Sequence, residues 1–278
     1  MLRFSGSGVS DVGLVRADNE DAAFVAPYVS LVADGVGGAA AGEVASATTA
    51  YVVAALALRR PDDNPVAVVR DGVAAARTSL QHGVLQDVAR AGMASTLSVV
   101  VCDGRRAVLG HVGDSRAYLL RDGGLRQVSH DHTYVQGLVD GGQLARHEVR
   151  RHPWRNVVLR TVDGNPEADL HDLDVIDLGV RAGDRLLLCS DGLTDLVADD
   201  RIAQVLGLRE PGAAASVLVQ SALAAGGSDN VTCVVLDVVD GPRVVGDGRL
   251  LGALTDPTNV VDPAAVRVAE PQPASPSR

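Results

Sequence analysis

Leu31-Val32-Ala33-Asp34-Gly35-Val36-Gly37-Gly38 joins an apolar run to a carboxylate and then to a glycine-loosened turn. Far downstream, Leu186-Leu187-Leu188-Cys189-Ser190-Asp191-Gly192 repeats the arrangement. Each stretch predicts a buried strand that ends on an Asp beside a residue without a side chain. That combination suits a hard cation, because the carboxylate only accepts, the backbone carbonyl can turn inward and no Cβ obstructs it. Asp34 and Asp191 are therefore the first candidate ligands.

Working outward, residues 9–34 predict two short strands, Ala22–Ala26 and Tyr28–Ala33, on either side of Pro27. Helices are expected over Gly42–Arg60, stopped by Pro61, and over Val66–Arg90. Strands follow at Ser95–Cys102, Ala107–Val112 and Arg116–Leu120, and Asp122-Gly123-Gly124 turns the chain into Leu125–Val128. The polar stretch 131–156 reads as a short helix and a surface excursion. Val157–Thr161, Leu173–Leu178 and Arg185–Cys189 resume the strands, then helices at Asp199–Leu206 and Ala213–Ala225 and a last strand at Val231–Val239. Many of these strands are apolar throughout, which means both faces are covered, while the hairpins argue for antiparallel pairing. Two packed sheets, each backed by helices, satisfy both observations. The pattern fades after Asp240, and residues 263–278, with four prolines, read as a disordered tail.

Composition narrows the chemistry. The 278 residues can bury a full core; 46% are hydrophobic but only 3% aromatic, so Val, Leu and Ala must build it. A net charge of −10 argues against nucleic-acid binding and against docking on anionic lipid. All 25 basic residues are arginine, which excludes a Schiff-base lysine, a P-loop lysine and a kinase-type lysine. Cys102, Cys189 and Cys233 lie in apolar runs, as core thiols of a reducing cytosol do, and none has an arginine six positions on for a thiolate phosphatase loop. No charged head precedes an apolar run at the N-terminus, and Ala45–Leu58 is too short to span a bilayer, so a cytoplasmic protein is expected.

Taken singly, the remaining acids have ordinary readings. Asp34-Gly35 is a turn, Asp191 a helix cap, Asp229-Asn230 a loop before a strand, Gly113-Asp114-Ser115 a tight link, and Glu20 and Asp21 solvated charge. Together they place an Asp beside a small residue or an Asn at four strand ends. Several carboxylates brought together cannot all ionise without a cation. With no Cys or His at ligand spacing, an all-oxygen set favours Mg²⁺ or Mn²⁺ over Zn²⁺.

In order and spacing, Arg16…Asn19-Glu20-Asp21, Ala33-Asp34-Gly35-Val36-Gly37-Gly38, Gly42-Glu43, Gly92-Met93-Ala94-Ser95-Thr96, Gly113-Asp114-Ser115-Arg116, Asp131-His132-Thr133, Ser190-Asp191-Gly192 and Ser228-Asp229-Asn230-Val231-Thr232 resemble the bacterial branch of the metal-dependent serine/threonine protein phosphatases of type 2C. The resemblance covers roughly residues 8–240. It implies an α+β fold, a four-layer α-β-β-α sandwich of two antiparallel sheets flanked by helices. The catalytic domain would occupy 1–240, with a variable flap at about 134–156 and a C-terminal extension at 241–278. It implies two core Mn²⁺ or Mg²⁺ ions bridged by Asp34, with the Gly35 carbonyl on one and Asp191 and Asp229 on the other. Glu20 and Asp21 would act through metal-bound water, and Asp114 with Asp191 would form a third, weaker site. Arg16 matches the arginine that grips the substrate phosphate, and a metal-bridging hydroxide would attack phosphoserine or phosphothreonine directly. Phosphorylated proteins, a serine/threonine kinase and that kinase's substrates are the implied partners of a monomer that binds neither nucleic acid nor membrane.

The histidine that follows the Asp-Gly pair in the eukaryotic branch is here Val36, so no general acid is named; His132 and His111 are candidates in principle, although His132 also fits a loop-orienting role and His111 a strand position. Two other readings stay open. A pseudophosphatase would use the same fold as a binding module, and a serine hydrolase would use Ser115 of Gly113-Asp114-Ser115-Arg116-Ala117, provided a helix followed it.

Overall fold

The computed structural model describes residues 1–36, 41–165, 172–208, 210–246 and 248–266. Two antiparallel sheets face each other. The first has β1 (Leu2–Asp11), β12 (Val231–Asp240), β11 (Arg185–Cys189), β7 (Arg116–Arg121) and β8 (Gly124–Gln127), in that spatial order. In the second, β10 (Asp174–Asp177), β6 (Ala107–Val112), β5 (Leu97–Cys102), β3 (Val29–Val36), β2 (Asp21–Val25) and β13 (Arg249–Gly252) follow one another. Short β4 (Ala94–Ser95) pairs with β3 and with β9 (Val162–Asp163).

Three hydrophobic layers hold four structural ones together. Alternate residues of each central strand enter different cores, which explains why those strands lack polar positions. Leu31 and Ala33 of β3 pack under α1 (Gly42–Arg59) and α2 (Pro65–Gln86), whereas Val32 points into the layer between the sheets. Leu186 and Leu188 of β11 share that middle layer with Val234, Leu236 and Val238 of β12. On the far side, Leu187, Cys189, Cys233 and Val235 pack against α4 (Asp191–Thr194), α5 (Asp199–Leu206) and α6 (Pro211–Ala224). The architecture is the expected α+β sandwich.

Local chemistry sets the helix ends. Asn64 caps α2 by accepting the Val66 N–H at 3.0 Å, and Pro65 occupies the first turn, where no N–H is missed. Thr133 caps α3 (Tyr134–Asp140) in the same way, through Gln136 N–H at 3.2 Å.

Some expectations change. β1 extends from Leu2, a strand hidden in the sequence by Ser and Gly at alternate positions; all ten of its residues pair with β12. Val157–Thr161 is not a strand: it makes one isolated bridge, Thr133 to Val158, and leaves Val157 and Leu159 exposed. Its residues border the site described below and have no sheet edge to join. The segment after Asp240 packs on the body. β13 pairs with β2, and Leu254, Val260 and Val261 are buried under α1. Of the disordered tail expected over 263–278, Pro263–Val266 instead forms a 3-10 turn whose Pro263 carbonyl accepts the Tyr51 hydroxyl at 3.1 Å; 267–278 lie outside the described residues, as do Gly37 and Gly38.

Candidate active site

The antiparallel register brings the acids to one end of both sheets. Asp21, first in β2, lies directly opposite Asp34 near the end of β3. β11 runs into Ser190 and Asp191, β12 begins just after Asp229-Asn230, and β6 ends two residues before Asp114. Arg16, Glu20, Asp34, Gly35, Val36, Asp114, Asp191, Asp229 and Asn230 line one cavity of about 140 Å³, completed from above by Asn156 and Val158. Of the predicted site residues only Asp21 is absent from its wall: it is fully buried beneath.

Hydrogen bonds hold this end rigid. The Asp34 N–H donates to Thr96 Oγ1 at 3.0 Å, and the Asp34 carbonyl accepts from Thr96 N–H at 2.8 Å and Ser95 Oγ at 3.1 Å. Thr96 and Ser115 hydroxyls meet at 2.8 Å, which ties β3 to the Asp114 loop. Ser190 Oγ donates to Asp21 Oδ2 at 2.7 Å while accepting the Thr232 N–H at 3.0 Å. Asn230 accepts the Glu20 N–H at 2.8 Å and donates to the carbonyls of Val12 and Asp18, both at 2.9 Å. Asn19 receives the Asp21 N–H at 3.1 Å and donates to Ser10 Oγ at 2.9 Å. Gly35 passes so close to α1 that a Cβ there would overlap the Gly42 backbone.

The acids repel one another. Burial raises Asp34 well above the carboxylate range, and Asp21, Asp191, Asp114 and Asp229 raise it further. Asp191 is raised by burial, then by Asp114, Asp195, Asp229 and Asp21. Burial pushes Asp114 up to about 7, helped by Asp131, and Asp21 up to about 6 against the pull of its Ser190 and Thr232 hydrogen bonds. Glu20 is raised by burial and then by Glu43. Arg16 Nη2 stands 2.9 Å from Asp229 Oδ2, half-exposed, and this hydrogen bond raises the guanidinium further.

This donor set fits hard divalent cations. Asp21 Oδ1 is buried with no hydrogen-bond partner, and the wall offers carboxylate, amide and backbone oxygen but no imidazole or thiolate. Among the described residues no group of three or more His, Cys, Asp or Glu already closes into a cage; the acids stand around a shared space, with the Arg16 guanidinium on Asp229.

Both histidine candidates are otherwise engaged. His111, in β6, meets Ser98 Oγ at 2.9 Å and the His130 carbonyl at 3.0 Å, and burial lowers it to about 4, with His132 adding to the shift. His132 Nδ1 accepts the Gly113 N–H at 3.2 Å and Nε2 faces Asp174 at 3.2 Å; burial lowers it too. Ser115 is buried on Thr96, and strand β7 follows it instead of a helix, so no nucleophile elbow exists.

Reading from sequence missed Asn156 as a wall residue, and assigned no role to Asn19, Asn230, Ser190 and Thr96 although each lies inside a quoted motif. The usable signal was their chemistry: polar side chains flush against apolar strands and acids need partners. Asn156 carried none, because it follows an arginine-rich excursion.

Such a fold with acids at the ends of both sheets is that of the metal-dependent phosphatases, and the chain belongs to the protein phosphatase 2C family, whose model matches residues 6–224. It is similar to the serine/threonine protein phosphatase PstP of Mycobacterium tuberculosis, 42% identical over 247 residues, 86% of this chain and 46% of that one. The protein phosphatase PhpP of Streptococcus pneumoniae is 32% identical, across 83% of this chain and 96% of its own. The chain thus spans about half the length of the PstP relatives and nearly all of PhpP. Among solved structures, the M. tuberculosis PstP phosphatase superposes with a TM-score of 0.79 at 41% identity, covering 86% of this chain and 100% of the other. A PstP catalytic domain in complex with two manganese ions gives 0.77 at the same identity and coverage.

Proposed function

We propose that this protein is a metal-dependent phosphoprotein phosphatase, hydrolysing phosphoserine and phosphothreonine with Mn²⁺ or Mg²⁺. The observation that carries the reading is the single cavity in which Asp34, Asp191, Asp229 and Asp114 face Arg16. A silent binding module would have no need to retain acids that oppose one another's ionisation. Asp34, the Gly35 carbonyl, Asp191 and Asp229 are the residues that would hold two core ions, with Glu20 and Asp21 beside them and Asp114 with Asp191 serving a third. When bound, such ions supply Lewis-acid charge and lower the pKa of water to the neutral range.

The chain's own groups do the rest. Arg16 exchanges Asp229 for the substrate phosphoryl group, offering a bidentate donor pair where negative charge builds. Ser190 and Asn230 fix Asp21 and Glu20 so that the cavity floor does not relax away from the substrate. Val36 offers no proton, and His111 and His132 are lowered by burial and hydrogen-bonded elsewhere, so neither is assigned as proton donor to the leaving alkoxide. Substrates in this reading are phosphoproteins of a serine/threonine kinase system, and the protein works in the cytoplasm as a monomer. No described helix is long and apolar enough to cross a membrane.

The test is hydrolysis of a phosphothreonine peptide with Mn²⁺ or with excess chelator, by wild type and Asp191→Ala. Turnover that needs metal and collapses in the variant is expected. No turnover by folded protein with any divalent ion would leave a binding module, and turnover indifferent to both chelator and variant would move the chemistry elsewhere.

A further inference from the structure

The flap is basic on an acidic protein. Between 134 and 156 stand Arg146, Arg150, Arg151 and Arg155 against two acids, Asp140 and Glu148, in a chain of net charge −10. Glu148, whose Oε2 accepts the Ala145 N–H at 3.0 Å, offsets one of the four, and Asp140 faces His130 Nε2 at 2.9 Å. Arg150 seats the flap by donating to the carbonyls of Thr194 and Val197, at 3.1 and 2.9 Å, which lie just beyond Asp191. Arg155 stands 3.5 Å from Asp195, and Arg160 lies 3.7 Å from Asp172 and 3.9 Å from Asp174. Arg146 and Arg151 are exposed, and no ion pair joins either to another described residue.

Arg146 is connected to the site, and Arg151 ends the same short 3-10 turn, Arg146–Arg151. Asp114, Asn156 and Asp191 line both the central cavity and a second one under the flap. The second shares Arg116, Val149 and Arg150 with a third, of about 350 Å³, whose wall includes Arg146. Of the other charges there, Arg116 is paired with Asp131 at 2.6 Å, Arg150 donates to backbone carbonyls, and Asp199, which accepts the Tyr118 hydroxyl at 3.3 Å, and Asp200 are the two acids. A peptide leaving the Asp191 cavity along this path reaches the Arg146 guanidinium, with Arg151 on the same turn.

We propose, on the phosphatase reading above, that Arg146 and Arg151 select phosphopeptides that carry a second anionic group, phosphoryl or carboxylate, flanking the scissile phosphothreonine. The rest of the surface repels such peptides. A local basic strip reverses this within a Debye length, about 10 Å at 0.1 M salt.

The experiment uses the full chain with Mn²⁺ and three phosphothreonine peptides of one backbone, with neutral flanks, with glutamate flanks, or with a second phosphothreonine. Each is assayed at low and high salt with wild type, Arg146→Gln, Arg151→Gln and the double reversal Arg146→Glu/Arg151→Glu. Wild type should favour an anionic flank by roughly threefold per arginine engaged, as exposed charge pairs allow. The preference should sit in KM, shrink in high salt and invert in the double reversal. Preference for both anionic peptides identifies charge as the feature read; preference for the doubly phosphorylated one alone identifies phosphoryl. Equal kcat/KM for all three peptides, or a preference the variants leave intact, overturns the proposal. So does flat peptide selectivity combined with arginine-dependent binding to phosphatidylglycerol vesicles. Hydrolysis of p-nitrophenyl phosphate, too small to reach the flap, reports the phosphatase reading separately: if that fails in wild type both fall, and if it succeeds while the peptides are equal only this one does.

Discussion

Removing divalent cations should reverse the usual pH dependence of a protein's stability. Asp21 holds its proton to about pH 6 in the folded metal-free protein against an ordinary 3.8. At about 1.36 kcal/mol per tenfold, its full ionisation costs the fold about 3 kcal/mol. Asp114, pushed to about 7, adds a cost of similar order, and Asp34 and Asp191 shift in the same direction. Because these pKa values are raised, the stability is whole below about pH 4, where the unfolded acids are also protonated. It is lost as pH rises through 6 and 7. At roughly 2–4 °C per kcal/mol, Asp21 alone should lower Tm by about 6–12 °C between pH 4 and pH 7.5 in chelator. Bound Mn²⁺ favours the ionised acids, so the Tm gap between Mn²⁺ and chelator should widen over that range. Isothermal calorimetry of Mn²⁺ binding at pH 6, in two buffers of different ionisation enthalpy, should register release of about one proton or more. A gap that stays constant from pH 5 to 7.5, together with no proton release at pH 6, would refute the reasoning.

Replacing Arg16 by Ala should cost the fold under about 1 kcal/mol, because its pair with Asp229 is half-exposed. It should nevertheless lower kcat/KM by on the order of 10²–10³, measured on phosphopeptide at saturating Mn²⁺, since the lost contact is made with developing charge. Ser190→Ala removes one of the donors to Asp21 and the acceptor of the Thr232 N–H inside the core, and urea titration should show a loss of about 1–3 kcal/mol. Cys102, Cys189 and Cys233 are buried, with thiols raised by burial, Cys189 to about 12; iodoacetamide at pH 8 should leave all three unmodified in native protein and label them in urea.

Legibility followed burial. β6, β11 and α5 match their predicted limits because uninterrupted apolar runs bounded by turn residues have few competing readings. The site acids were legible because strand ends recur as Asp beside a small residue. β1 escaped because its partner, not its composition, makes it a strand: Gly6 passes so near the Val235 carbonyl of β12 that only glycine fits, and Gly8 lies against the Leu251 side chain of β13. The segment at Val157–Thr161 misled in the opposite way, with β-forming residues that have no free edge to pair. Asn156 and the framing asparagines were invisible as site residues, since what selects them is distance in space.

The segment after Asp240 bears on the same electrostatic problem. A domain of this kind has some 5–15 kcal/mol of net stability, and ionising its buried acids without cations consumes much of that. Only a rigid sheet end prevents the acids from swinging into solvent. β13 supplies part of that rigidity: Gly252 takes a left-handed φ of 61° where a side chain would overlap the Asp21 carbonyl. Next to it, Leu251 sits in the layer between the sheets and Leu254, Val260 and Val261 under α1. The Thr48 hydroxyl joins this segment to α1 by accepting the Val261 N–H at 3.0 Å. Burial behind Asp21 thus does two things at once. It raises the cost of leaving the site without cations, and it removes the conformations by which the protein could evade that cost, which makes cation affinity a property of packing well beyond the ligands.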